Sequence, residues 1–104
     1  MAAQFERVAG KSDLKPGELK RVVVGSEDVC LVNLNGEYFA VSNVCTHAGG
    51  SIDMGEVTGN DVVCPLHGST FDVRTGEVTS PPAMEGLKAY AVRLEGDDVL
   101  AGPK

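Results

Sequence analysis

The run Val29-Cys30-Leu31-Val32-Asn33-Leu34 is apolar and β-branched, it halts at Asn35-Gly36, and Tyr38-Phe39-Ala40-Val41 follows. Asn-Gly between two such runs is the strongest short-range hairpin signal, because the favoured two-residue turn needs positive φ at both central positions. The rest of the chain repeats the pattern. Phe5–Val8 alternates as a half-buried strand does, and Arg21–Val24 is β-branched. Glu56–Thr58 and Asp61–Cys64 flank Gly59-Asn60, Thr70–Val73 and Glu77–Thr79 flank Arg74–Gly76, and Lys88–Leu94 and Asp98–Leu100 flank Gly96-Asp97. Leu14–Glu18 is a turn, with one helical turn at most over Asp13–Leu19. Thirteen glycines and five prolines supply the breaks, and no segment sustains a helical period. The predicted fold is all-β, an antiparallel sandwich or barrel.

A length of 104 residues predicts one domain, 1–104. Apolar residues, 42% of the total, recur along the whole chain, which disfavours disorder. No run approaches the ~20 apolar residues of a membrane helix, so no membrane partner is expected. Nine basic against fifteen acidic residues give a net charge of −6. That excludes the basic footprint nucleic acid requires and suits a protein partner with a basic patch. Met1–Arg7 has neither the basic start nor the apolar core of an export signal.

Chemistry concentrates in two loops. Cys45-Thr46-His47 is C-x-H and Cys64-Pro65-Leu66-His67 is C-x-x-H, sixteen residues apart, each at the end of an expected strand. Two thiolates and two imidazoles form a four-ligand metal set. Zinc accepts that set, and so does a two-iron centre in which two histidines replace two cysteines on one iron. Structural zinc sites usually group like ligands together, whereas here each loop supplies one of each kind. Cys30 lies within a strand pattern and reads as a small buried hydrophobe. No structural disulfide is then left to form, which fits a reducing cytoplasm. Met54 and Met84 read as packing residues, Tyr38 and Phe39 as sheet residues, and Asp53, Glu56 and Glu85 as solvated carboxylates.

The segments Cys45-Thr46-His47-Ala48-Gly49-Gly50 and Cys64-Pro65-Leu66-His67-Gly68-Ser69-Thr70-Phe71-Asp72 resemble the Rieske ferredoxins. Asp13–Glu18 looks like the early turn of the bacterial ferredoxins. Ser80-Pro81-Pro82 looks like the loop that covers one side of the metal group. The resemblance implies one 2Fe-2S cluster per chain, with Cys45 and Cys64 on the inner iron and His47 and His67 on the outer. It implies that the histidines bind through Nδ1 and leave Nε2 toward solvent or a partner. It also implies a small cluster-binding subdomain, about residues 43–84, on a larger antiparallel framework. Gly49, Gly50 and Gly68 would let backbone N–H groups approach the sulfurs.

The implied function is one-electron transfer from a flavin-dependent ferredoxin reductase to a terminal oxygenase, in an aromatic ring-hydroxylating dioxygenase system. The chain itself would be a carrier rather than an enzyme, cytoplasmic and monomeric. Gly50 and Leu66 stand where respiratory Rieske proteins place a bridging disulfide. Phe71 stands where they place a hydroxyl donor, while Ser69 keeps another. The expectation is a low potential, between ~−200 and ~0 mV, that falls in alkali. Other readings are the small subunit of an NAD(P)H nitrite reductase, a zinc-stabilised interaction module, and a redox sensor.

Overall fold

In the computed structural model the described residues are 5–45, 50–65, 68–81 and 85–103. The strands are β1 (Glu6–Gly10), β2 (Leu19–Val24), β3 (Glu27–Leu34), β4 (Glu37–Ser42), β5 (Glu56–Thr58), β6 (Asp61–Val63), β7 (Thr70–Asp72), β8 (Val78–Ser80), β9 (Ala89–Glu95) and β10 (Asp98–Gly102). Among the described residues the only helical pieces are 3₁₀ turns at Lys11–Asp13 and Ile52–Met54. Among the described residues no helix is long and apolar enough to cross a membrane. The all-β expectation holds.

Six strands form one antiparallel sheet in the order β1-β10-β9-β4-β3-β2. The β3–β4 hairpin turns on Asn35 and Gly36, with φ of 55° and 96°, the left-handed pair the Asn-Gly turn demands. Strand β9 is the corner: Ala89 and Tyr90 pair with β4, while Ala91 to Glu95 pair with β10. The sheet curls until its ends approach, and the Gly25 amide donates to Glu6 Oε2 at 3.1 Å. The other four strands form a smaller sheet, β5-β6-β7-β8, inserted between β4 and β9.

Strand β3 is buried on both faces. Val29 and Leu31 join Leu14, Val22, Val24, Tyr90 and Val99 inside the large sheet. Cys30, Val32 and Leu34 face the other way and pack with Val41, Ile52, Val62, Phe71 and Val73 between the sheets. Such a strand reads as a near-continuous apolar run, which is how its sequence looks. Its one polar interior residue is satisfied: Asn33 Nδ2 donates to the Leu14 carbonyl, and its Oδ1 accepts from the Gly36 amide, both at 2.8 Å. The second apolar layer carries the small sheet, and the two cysteine loops emerge from it.

Candidate metal centre

Cys45 follows the end of β4 and Cys64 follows the end of β6. Their backbone settings match. The Cys45 amide donates to the Gly50 carbonyl at 2.8 Å, and the Cys64 amide donates to the Ser69 carbonyl at 2.8 Å. Each loop is thus pinched shut by a bond from its cysteine to the fifth residue on. The first stem also has a bridge between Val44 and Ser51 and a bond from the Ile52 amide to the Asn43 carbonyl. The second continues the β6–β7 ladder at Val63 and Thr70, and the Gly68 amide donates to the Cys64 carbonyl.

The cysteines are 2% and 1% exposed and belong to the same packed apolar group as Cys30, Ile52, Val62 and Phe71. Two thiols from separate loops therefore meet one apolar layer. Ordinary burial penalises a thiolate. Cys30 shows the size of the effect, since its pKa is pushed from 9.0 up to about 12, chiefly by burial and further by the Asp53 charge. A thiolate at Cys45 or Cys64 would need a cation to compensate it, as a soft metal group would. The donor chemistry and burial of these two residues fit the inner half of the centre. His47 and His67 lie outside the described residues, as do Gly49, Leu66, Pro82 and Met84.

The loops are held side by side by a contact the sequence did not mark. An added Cβ at Gly55 would stand 1.8 Å from the Val63 carbonyl oxygen, next to Cys64. Only glycine permits that approach. Beside Cys64 lies an open groove of about 400 Å³, lined by Met54, Gly55, Glu56, Pro65 and Gly68. Met54 corrects the packing expectation, being 74% exposed on the rim. In its three-residue 3₁₀ turn the inward position belongs to the buried Ile52. Asp53 also departs from its solvated reading. It is half-buried, accepting from Asn43 Nδ2 and donating its own amide to Asn43 Oδ1, both at 2.8 Å. Asn43, read only as the start of a loop, is 2% exposed. Its position before a cysteine loop was the one available signal. Ser69 and Phe71 are both buried, and Gly50 is buried at the foot of its loop.

Residues 4–91 match the Rieske 2Fe-2S domain family. The biphenyl dioxygenase ferredoxin subunit of Pseudomonas sp. (strain KKS102) is 42% identical over 97 residues, 92% of this chain and 89% of that protein. The ferredoxin of carbazole 1,9a-dioxygenase from Nocardioides aromaticivorans IC177 superposes with a TM-score of 0.93 at 37% identity, covering 97% of this chain and 99% of that one. A chain in the complex of reduced oxygenase and oxidized ferredoxin in carbazole 1,9a-dioxygenase gives 0.90 at 29% identity, covering 96% and 94%. A putative NADH-dependent nitrite reductase small subunit from Mycobacterium tuberculosis also gives 0.90, but at 20% identity, covering 100% of this chain and 98% of that one, which shows a shared fold. The matched segment runs through both cysteine stems and the strands that carry them, and this chain belongs to the Rieske 2Fe-2S domain family.

Proposed function

We propose that this chain carries single electrons in a multicomponent aromatic ring-hydroxylating dioxygenase system, taking them from a flavin-dependent ferredoxin reductase and passing them to a terminal oxygenase. The observation that carries the reading is the matched pair of stems presenting Cys45 and Cys64 at one apolar layer. The group that suits them is one Rieske-type 2Fe-2S cluster. Cys45 and Cys64 would hold one iron, and His47 and His67 the other. Bound there, such a cluster takes up and releases one electron without net chemistry on a substrate. The chain's own work is positional. The apolar layer keeps water from the thiolates, the pinched stems fix their backbone, and the segment of about residues 43–84 acts as the cluster-binding subdomain.

The ferredoxin roles of the relatives support a carrier that is not itself a catalyst. An oxygenase partner is supported by the related ferredoxin seen complexed with one. The exposed side chains of Val44 and Met54 flank the cysteine loops and offer apolar contact for docking. The protein works as a cytoplasmic monomer that binds each partner in turn. The test begins with the absorption spectrum of the purified protein and the EPR spectrum after dithionite reduction. A brown protein with the low average g value of mixed His/Cys ligation is expected. A colourless protein with one zinc would refute it. Redox titration is expected to place the midpoint between ~−200 and ~0 mV, and a value above ~+100 mV would contradict the low-potential expectation. Stopped-flow mixing with a reductase then separates a carrier, which turns over quickly, from a sensor.

A further inference from the structure

Asn43 sits two residues before Cys45, and every polar group it owns is used. Its amide donates to the Asp28 carbonyl on β3 at 3.1 Å, and its carbonyl accepts from the Ile52 amide at 2.8 Å. Its side-chain amide closes a ring with Asp53, donating from Nδ2 to Oδ1 and accepting at Oδ1 from the Asp53 amide. The side chain thus behaves as one more peptide unit, continuing the stem ladder beyond the Ile52–Asn43 rung. Asp53 belongs to the 3₁₀ turn that leads directly into Gly55, and Gly55 lies against the Val63 carbonyl beside Cys64. One continuous path of short contacts therefore runs from the base of the first cysteine loop to the base of the second.

We propose that the Asn43–Asp53 ring is a positioning clamp that sets the placement of the Cys45 loop relative to Cys64, and so governs how firmly the iron–sulfur group is held and the geometry of its ligands. This rests on the assignment of the two cysteines as iron ligands. A buried polar side chain whose bonds all go to one partner residue does little for net stability that a well-packed apolar pair could not do. What it supplies is direction, since a two-point amide–carboxylate ring admits a single registration. The same placement brings the Asp53 charge near enough to Cys30 to help raise its thiol.

The ring has a donor–acceptor logic that can be inverted. Asn43→Asp keeps an acceptor for the Asp53 amide but sets two carboxylates face to face, which breaks the side-chain bond and opens the ring. Adding Asp53→Asn restores that bond, because the side-chain amide introduced at position 53 then donates to the carboxylate at position 43, and the net charge returns to its original value. Asp53→Asn alone keeps an acceptor for Asn43 and leaves the ring closed. The experiment compares holoproteins purified in parallel, following iron loss to a chelator by visible absorbance and recording the EPR g values after reduction. N43A and N43D are expected to lose iron roughly tenfold faster than the parent. N43D is also expected to show displaced or broadened g values, and D53N and N43D/D53N should stay near the parent in both readouts. Should N43A not fold, the N43D and N43D/D53N pair decides. The clamp is overturned if N43D keeps iron and g values like the parent, or if the double variant is no better than N43D. A parent protein that holds no iron–sulfur group would overturn the ligand assignment and the clamp with it.

Discussion

Cys30 and Cys64 are chemically the same residue in the same apolar layer, yet the roles proposed for them are opposite. Cys30 points from the middle of β3 into closed packing, and burial pushes its thiol up to about 12. Its protonated form is therefore the one folding favours. That contribution is whole below the ordinary thiol pKa of 9.0 and is lost as pH rises toward about 12, because the unfolded chain ionises first. Thermal unfolding followed from pH 8 to 11 should show an alkaline fall in Tm that is shallower in Cys30→Ala. Native Cys30 should also stay unmodified by thiol reagents until the protein unfolds. Cys64 differs in lying past the end of β6, at the root of the loop proposed to carry the metal group.

The small sheet packs on the large one through apolar side chains, and within it the turn that leads into β5 meets β6 by a close backbone contact at a residue with no side chain. Gly55→Ala would drive a methyl into the Val63 carbonyl. Relief requires the first loop to back away, at an expected cost of about 1–3 kcal/mol in urea denaturation, with faster iron loss alongside. The large sheet has its own tie across β4. Tyr90 Oη on β9 donates to Glu27 Oε1 on β3 at 2.7 Å, and Lys88 Nζ reaches the same oxygen at 3.1 Å. The Tyr90 hydroxyl, then Lys88, hold the Glu27 carboxyl below its usual range. A depressed carboxyl adds stability that is present above its unfolded pKa and lost as pH falls through the folded one. Tyr90→Phe should lower stability at neutral pH and flatten the acid limb below the ordinary carboxyl value of 4.5, read by urea denaturation at a series of pH values. Burial and the Glu27 charge raise the Tyr90 hydroxyl in turn, so that pair also weakens in strong alkali.

The whole molecule carries a net charge of −6 that its ion pairs leave unneutralised. Arg7–Asp98 and Arg21–Asp28 are exposed cross-strand pairs that contribute little to stability. The excess negative charge acts instead on encounter. Electron transfer to a partner with a basic docking patch should slow as salt rises, with the screening length falling from about 10 Å at 0.1 M to about 3 Å at 1 M. Glu56→Gln, on the rim of the groove beside Cys64, should weaken that salt dependence in stopped-flow traces. An unchanged slope would remove Glu56 from the docking face.

Local rules were enough for the strand list, the Asn35-Gly36 turn and the loop positions of Cys45 and Cys64. Each depends on neighbours in sequence: alternation, turn chemistry and ligand spacing act within a few residues. The family resemblance was legible for the same reason, since its motifs are short and contiguous. The corner in β9, the outward Met54, the Asn43–Asp53 ring and the Gly55–Val63 contact were not legible. In each case the deciding neighbour is remote in the chain or set by which side of a turn faces the core. A lone Asn or Gly has many permitted uses, and only the packing of one sheet on the other selects among them.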